Sequence, residues 1–222
     1  MGDCYYRFVR FVGSKIFWVS SRSTILHRDR VPRSGTFLLV SNHISPIDVP
    51  VLIRHTPRKL DFVTTQEMFR KPFVKWFFTH MNAFPLDRQR TDTRGTRALL
   101  DRLAAGRVVS MFPEGRLRWG AQSVLEGAPV RPTAARTARL ANVPLLPAVV
   151  WGTPAYSRII NWLPLKRVRY GIAYGEPIDV ADDGEAEQRL AAVFQALYAE
   201  LREAMDQPLG AAAGAGEGLR AV

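Results

Sequence analysis

The sequence predicts a single α/β domain in which a mixed β-sheet is flanked by helices. Short apolar segments alternate with segments of helical periodicity along most of the chain, and an amphipathic segment stands at each end of that part. The 222 residues, 47% of them hydrophobic, suffice for one sizeable core. We expect a domain over residues 29–207, preceded by a helical segment over 1–28 and followed by a Gly/Ala-rich, disordered tail over 208–222.

The N-terminal segment has the periodicity of an amphipathic helix over residues 5–19. Its apolar stripe consists of Tyr5, Phe8, Val9, Val12, Ile16 and Val19, widened by Phe11, Phe17 and Trp18. Polar positions fall opposite this stripe at Asp3, Arg7, Arg10, Ser14 and Ser21. Basic and aromatic residues on one helix are typical of a membrane interface. Packing on the domain's own core is the alternative, and one helix can do both.

The central part of the chain alternates predicted strands and helices. Short apolar or alternating runs predict strands at 36–40, 60–64, 108–112, 144–150 and 168–174. Helical periodicity predicts helices at 67–80, which is rich in Phe and Trp, at 96–105, at 133–141 and at 185–206. This order of elements is typical of a sheet with helices on its faces.

Composition limits the partners and the location. Lys and Arg outnumber Asp and Glu by 31 to 20, and the net charge of +11 favours nucleic acid, anionic lipid or a phosphorylated substrate. The single cysteine, Cys4, excludes an intrachain disulfide and suits a reducing compartment. No run reaches the roughly 20 apolar residues that span a bilayer. We therefore expect a protein that lies on a membrane rather than crossing it.

A histidine and an aspartate lie five positions apart just after the first predicted strand, where α/β sheets bind ligands. Five residues on a continuous helix are about 140° apart, so His43 meets Asp48 only if it precedes the helix, with Ser45 as N-cap and Pro46 as first residue. Asp48 would then fix the imidazole tautomer, leaving the other nitrogen to deprotonate a hydroxyl that attacks a thioester. Alternatively, Ser45 and Asp48 form a capping box and Asp48 only caps the helix.

Four sequence blocks occur in a recognisable order over residues 30–180. They are Asn42-His43-x-x-x-x-Asp48, Asn82 to Arg88 (NAFPLDR), Phe112-Pro113-Glu114-Gly115 and Val143-Pro144-Leu145-Leu146-Pro147. Together they resemble the motifs of the glycerolipid acyltransferases, the family of the 1-acylglycerol-3-phosphate and lysophospholipid acyltransferases. The resemblance implies transfer of a fatty acyl group from acyl-CoA or acyl carrier protein to a lysolipid hydroxyl in phospholipid biosynthesis. It implies no metal and no redox cofactor.

The resemblance also implies roles for individual residues. His43 and Asp48 would be catalytic, and Arg88, four positions after Phe84, would bind the phosphate of the acceptor. Glu114 and Gly115 would contact the acceptor as well. The most expected acceptor is 1-acylglycerol-3-phosphate, with reacylation of lysophospholipids as a close second.

Two positions depart from the family pattern. Asn82 stands where the family usually has Gly, and Arg116-Leu117 stands where many members have Thr-Arg. The pair resembles members that reacylate lysophospholipids, and Arg116 or Arg118 would then reach the phosphate. Arg131, Arg136 and Arg139 lie on or near one predicted helix and face anionic lipid or solvent.

The expected partners are a lysolipid acceptor, an acyl thioester donor and an anionic membrane surface at the cytoplasmic face. Nucleic acid is not expected, because the basic residues are scattered and match no nucleic-acid motif. The alternatives are a non-catalytic peripheral membrane protein of the same fold, a basic nucleic-acid-binding module, or a thioesterase in which water replaces the alcohol. The sequence leaves the acceptor, the acyl-chain length, the donor and the oligomeric state open.

Overall fold

A seven-stranded sheet forms the centre of the computed structural model, which describes residues 2–86, 92–163, 167–180 and 185–206. The predicted tail over 208–222 lies outside these ranges. The strands are β1 (Ser21–Leu26), β2 (Leu38–Ser41), β3 (Leu60–Thr64), β4 (Ala83–Pro85), β5 (Val108–Met111), β6 (Leu145–Trp151) and β7 (Val168–Tyr174). Their order is β1-β7-β6-β2-β5-β3-β4. Only the β6–β7 pair is antiparallel among the described pairs, which confirms the predicted mixed sheet.

Helices cover both faces of the sheet. The sheet separates the hydrophobic core into two clusters, one on each face. The helices are α1 (Gly2–Ser20), α2 (Asp48–His55), α3 (Pro72–His80), α4 (Thr93–Ala104), α5 (Thr133–Ala141) and α6 (Ala186–Asp206). Helices α1, α2 and α3 pack on one face, and α4, α5 and α6 on the other. In β2, Leu38 and Val40 belong to one core and Leu39 to the other. Burial on both faces explains why this strand is an unbroken apolar run.

The predicted bounds of β3, β7 and α5 are confirmed, whereas two strands were missed. β1 is an edge strand whose residues after Ser21 are exposed or half-buried, and its sequence SRSTIL starts with four polar residues, so no apolar run marks it. β4 has three residues, too few for a periodic signal. Because β1 belongs to the sheet, the predicted helical segment over 1–28 is helical only as far as Ser20.

The predicted helix over 67–80 is interrupted. A 3-10 turn covers Gln66–Phe69, and α3 begins only at Pro72. Lys71 has an extended backbone (φ −89°, ψ 127°), because the ring of a following proline disfavours the helical region for the residue before it. Pro72 then occupies the first turn of α3, where its missing N–H costs nothing.

Helix α1 packs on the domain through only part of the predicted apolar stripe, with Tyr5 and Val9 half-buried against the core. Tyr6 and Phe17 are buried in the core beneath it. Arg10, predicted on the outer polar face, donates from Nη2 to the carbonyl of Thr56 at 2.9 Å. The apolar residues Phe8, Phe11 and Trp18 are instead 63%, 62% and 67% exposed. We call these three the aromatic face of α1.

The exposed aromatic surface extends from α1 to α3. Tyr5 contacts Trp76 with ring centroids 5.1 Å apart, and Phe73 and Trp76 on α3 are themselves exposed. Within the described ranges, no helix combines the length and the apolarity needed to cross a membrane. A surface of this kind is unusual on a soluble monomer and typical of an interaction surface.

Candidate active site

The candidate site lies at the carboxyl ends of three neighbouring strands. β2 stands between β5 and β6 and runs parallel to both, so the loops that follow them meet at one edge of the sheet. His43 follows β2, Glu114 follows β5 and Thr153 follows β6. The fold thus brings together side chains that are far apart in the sequence.

His43 and Asp48 form a hydrogen-bonded pair. His43 Nδ1 lies 3.0 Å from Asp48 Oδ2, and α2 begins at Asp48, so His43 occupies the loop before the helix as the spacing required. Asp48 is fully buried, while the His43 side chain is 17% exposed. An ionised carboxylate only accepts hydrogen bonds, so it favours the proton on Nδ1 and leaves Nε2 as the free, basic nitrogen.

Asp48 binds the backbone of the loop before α2 as well as the imidazole, so the interpretation that it only caps the helix is not supported. Its Oδ2 also accepts the backbone N–H groups of Ile44 and Ser45, each at 2.8 Å. The N-cap of α2 is Ile47 and no side chain caps it, so the predicted capping box with Ser45 as N-cap does not form. The prediction that Pro46 opens the helix is corrected, because residues 45–48 first form a turn closed by Asp48 N–H to the Ser45 carbonyl at 3.1 Å. One carboxylate therefore orders both the loop and the imidazole.

The second oxygen of Asp48 is held by a residue that the sequence analysis missed. Thr153 Oγ1 donates to Asp48 Oδ1 at 2.5 Å, and both side chains are fully buried. The two residues are 105 positions apart. No local pattern connects them, and only the adjacency of β2 and β6 could have indicated the contact.

The loop carrying His43 is fixed through its backbone as well. The His43 ring stacks on Phe112, with centroids 4.0 Å apart and planes 13° from parallel. The His43 N–H donates to Glu114 Oε2 at 2.7 Å, and the His43 carbonyl accepts from the Arg118 N–H at 2.8 Å. Ring and backbone of His43 are thus held independently, which leaves the ring little freedom to turn.

Glu114 is engaged by the protein rather than open to solvent. Besides the His43 N–H, its Oε1 accepts from Ser123 Oγ and from the Val124 N–H, each at 2.9 Å. The residue is 5% exposed. Burial raises the pKa of the Glu114 carboxyl, and the donors at Val124, His43 and Ser123 oppose that rise. This setting fits a residue that positions His43. It fits the predicted contact with an acceptor less well.

An apolar cavity of about 620 Å³ opens beside His43. It extends between α1, α2, α3 and β3, and its walls include Val9, Phe17, Ile53, Phe77, Phe78 and Trp162. Leu117, where many family members have arginine, also lines it, and Arg116 stands on the same wall with an exposed side chain. A cavity of this size and lining suits a long hydrocarbon chain whose reactive end lies at the histidine.

Three other predicted substrate contacts have different outcomes. Arg88 lies outside the described residues. Phe84 is buried in the core on the α4 side, where the Arg102 guanidinium lies 4.4 Å from its ring centroid, so it packs the sheet instead of lining the cavity. Arg118 donates from Nη1 to Gln122 Oε1 at 2.7 Å. Within the described ranges, the predicted substrate-binding residues therefore do not all lie around the cavity.

Gly115 lines the cavity at a position that favours glycine. Its φ is +72°, and a Cβ there would lie 3.3 Å from Arg131 Nη1. The guanidinium of Arg131, an exposed residue, therefore lies directly against the backbone that follows Glu114. Arg131 was predicted to face lipid or solvent, and in the structure it lies at the edge of the site.

Comparisons with known proteins identify the family to which the chain is similar. The model of the acyltransferase family matches residues 22–151, more than half of the chain. The 1-acyl-sn-glycerol-3-phosphate acyltransferase of Bacillus subtilis (strain 168) is 24% identical over 182 residues, which are 81% of this chain and 86% of that protein. The 1-acyl-sn-glycerol-3-phosphate acyltransferase of Streptococcus pneumoniae (strain ATCC BAA-255 / R6) is also 24% identical over 182 residues, which are 80% of this chain and 64% of that protein.

The fold also resembles a solved structure. The crystal structure of the 1-acyl-sn-glycerophosphate (LPA) acyltransferase PlsC from Thermotoga maritima superposes with a TM-score of 0.70. The sequence identity is 20%, and the match covers 93% of this chain and 83% of that chain. At this identity the likeness concerns the fold alone.

Proposed function

This chain belongs to the acyltransferase family, and we propose that it moves a fatty acyl group from an acyl thioester to the free hydroxyl of a lysolipid in phospholipid synthesis. The observation that carries the proposal is the hydrogen-bonded His43–Asp48 pair beside an apolar cavity of about 620 Å³. The cavity accommodates an acyl chain, and the pair supplies the base that an alcohol needs. The named relatives favour 1-acylglycerol-3-phosphate as the acceptor.

The mechanism follows from the hydrogen bond by which Asp48 keeps a proton on Nδ1 of His43 and leaves Nε2 free. His43 Nε2 removes the proton of the acceptor hydroxyl while that oxygen attacks the thioester carbonyl carbon. The C–O bond forms and the carbonyl becomes a tetrahedral oxyanion. Its collapse breaks the C–S bond, and the leaving thiolate takes from the imidazolium the proton that came from the acceptor hydroxyl. Asp48 keeps the ring oriented and stabilises its transient positive charge. The acyl donor is acyl-CoA or acyl carrier protein.

Thiol release tests the proposal directly. Wild-type protein is given palmitoyl-CoA, or palmitoyl acyl carrier protein, with lysophosphatidate or lysophosphatidylethanolamine as acceptor. Acceptor-dependent release is the expected result. Fatty acid released without acceptor would indicate a thioesterase instead. A silent wild type with both donors and both acceptors would contradict the proposed reaction and favour a non-catalytic membrane protein of this fold.

Reacylation of lysophospholipids is the second candidate, and one observation favours it. Leu117, at the position where many members carry arginine, lines the apolar cavity, so that position offers no charge to a phosphate. A better rate with lysophosphatidylethanolamine than with lysophosphatidate would support this candidate over the first.

Arg131 is our candidate for the cation that meets the acceptor phosphate, because its guanidinium lies against Gly115 at the edge of the site. We expect Arg131→Gln to raise the KM for lysophosphatidate roughly 10- to 100-fold, as loss of a charge-assisted hydrogen bond would, with kcat nearly unchanged. Arg136→Gln, an exposed arginine on α5, is the matched control and should leave both constants within about twofold. Equal effects of the two variants would show a general charge effect and exclude a specific contact.

We propose that the protein is a peripheral, monotopic membrane protein at the cytoplasmic face. The aromatic face of α1 and the adjoining exposed residues of α3 support this location, since they form a surface suited to the interface on two helices that also supply walls of the apolar cavity. The net charge of +11 favours an anionic bilayer. A lysolipid acceptor would then enter the cavity directly from the membrane.

Vesicle sedimentation tests the aromatic face. We expect the triple substitution Phe8→Ser, Phe11→Ser, Trp18→Ser to weaken binding to phosphatidylglycerol-containing vesicles at least about tenfold, because three apolar side chains no longer enter the interface. Leu140→Ser on α5 removes a side chain of comparable exposure from the other face of the sheet and should not change binding. Unchanged sedimentation of the triple variant would exclude α1 as the anchor.

A further inference from the structure

We infer that Thr153 is a positioning residue of the active site, whose hydroxyl holds the Asp48 carboxylate in the orientation that presents Oδ2 to His43. This inference rests on the proposed roles of His43 and Asp48. Thr153 itself lies behind the carboxylate, on the side away from the imidazole, and it acts through Asp48 rather than on the substrate.

The two oxygens of Asp48 have different surroundings. Oδ2 accepts three donors, from His43 Nδ1 and from the N–H groups of Ile44 and Ser45. Oδ1 has one side-chain donor in the described part of the chain, the hydroxyl of Thr153 at 2.5 Å. The carboxylate is fully buried, so water cannot replace a donor that is lost. The orientation of the carboxylate therefore depends on both ends being held.

The backbone places Thr153 with little freedom. Gly152 has φ +83°, and a Cβ there would lie 2.6 Å from the Arg169 carbonyl oxygen. Only glycine fits this position, where the chain leaves β6 and enters the 3-10 turn Thr153–Ser157. Pro154 restrains the backbone of that turn further. The hydroxyl thus starts from a rigid turn rather than from a mobile loop.

A second device fixes this turn relative to His43. The side chain of Asn42 donates from Nδ2 to the Val150 carbonyl at 2.9 Å and accepts from the Val150 N–H at 2.8 Å. These two bonds clamp the end of β2 to β6, one residue before His43 and three before Thr153. The loop that carries His43 and the loop that carries Thr153 therefore keep a constant separation.

Loss of the Thr153 hydroxyl should act on the chemical step. A buried Oδ1 without a donor favours rotation of the carboxylate or uptake of a proton, and either change weakens its hold on Nδ1–H of His43. The imidazole then leaves its productive orientation for part of the time. Substrate binding is unaffected, because Thr153 is buried behind Asp48 and outside the cavity walls.

The experiment compares Thr153→Val, which keeps the shape and removes the hydroxyl, with Thr153→Ser, which keeps the hydroxyl. We expect Thr153→Val to lower kcat roughly 10- to 100-fold with KM for both substrates within about twofold, a loss typical of small misplacements in a catalytic group. Thr153→Ser should retain kcat within about threefold. Thr153→Ala repeats the loss of the hydroxyl without the branched side chain, in case the valine variant does not fold.

Two outcomes would overturn the inference. A folded Thr153→Val or Thr153→Ala enzyme with kcat within twofold of wild type would show that Asp48 does not need this donor. Equal losses in the serine and valine variants would show that kcat depends on the complete threonine side chain and not specifically on its hydroxyl. Thermal unfolding of each variant is measured alongside.

A substrate-free readout separates this inference from the proposed reaction. Proton and nitrogen-15 NMR of the imidazole reports whether His43 carries its proton on Nδ1 and how strongly that proton is hydrogen-bonded. We expect wild type and Thr153→Ser to share one Nδ1–H signature and Thr153→Val to lose or shift it. A wild type silent with every lysolipid would sink the proposed reaction only, whereas an unchanged NMR signature in Thr153→Val would sink the positioning role.

Discussion

Replacing His43 with alanine should lower kcat roughly 10³-fold or more, because no other group holds a basic nitrogen at the mouth of the apolar cavity in the described part of the chain. The hydroxyl of the acceptor is then left to attack without a base, and the thiolate leaves without an acid. Thiol release from palmitoyl-CoA with the preferred lysolipid acceptor measures the loss. The KM values should change little, since the imidazole contributes more to the chemical step than to binding.

The fold of the His43→Ala variant should be preserved. The contacts of His43 to Glu114 and Arg118 are made by its backbone, which alanine keeps, and its ring is partly exposed rather than central to the core. A melting temperature within a few degrees of wild type is expected. His80→Ala removes a histidine whose Nδ1 lies 2.7 Å from the Trp76 carbonyl on α3, and it should retain activity. A folded His43→Ala enzyme with wild-type kcat would refute the mechanism.

The parts of the fold that could be predicted are those in which a local pattern reports burial. Strands β3 and β7 and helix α5 match the predicted bounds because their apolar residues follow one period from end to end. Strand β1 could not be found in this way, since an edge strand with one open side needs no apolar run. The orientation of α1 was also beyond the sequence. Apolar residues occur around most of its circumference, so periodicity does not say which of them face the core.

The residues of the site also differ in whether a local pattern could predict them. The spacing of His43 and Asp48 made their contact predictable, because both residues lie within one loop and the start of one helix. Thr153 and Arg131 were missed as site residues because they reach the site through the sheet, from loops after other strands. Glu114 was found by resemblance to a motif, yet a motif gives the identity of a residue and not its hydrogen-bond partners. Its donors at Ser123 and Val124 appear only in the folded chain.

The substitution Glu114→Gln separates a positioning role from a contact with the acceptor. Glutamine has the same shape, but one of its two terminal groups is an amide that donates. If the amide nitrogen takes the place of Oε2, it faces the His43 N–H, and if it takes the place of Oε1, it faces the Val124 N–H. Each arrangement opposes two donors in a buried site, at a cost of about 1–3 kcal/mol. The loop that carries His43 then shifts or loosens.

We therefore expect Glu114→Gln to reduce kcat about 10- to 100-fold, while the KM for the lysolipid stays within about threefold. The matched control is Glu126→Gln, which removes a nearby carboxylate that accepts from Tyr198 Oη at 3.1 Å and has no bond to the His43 loop. Its activity should remain near wild type. A tenfold or larger rise in KM for the acceptor with kcat retained would instead return Glu114 to the acceptor site. The three protein donors argue for the first result, because a carboxylate that holds the backbone of the catalytic loop cannot be released to a substrate without moving His43.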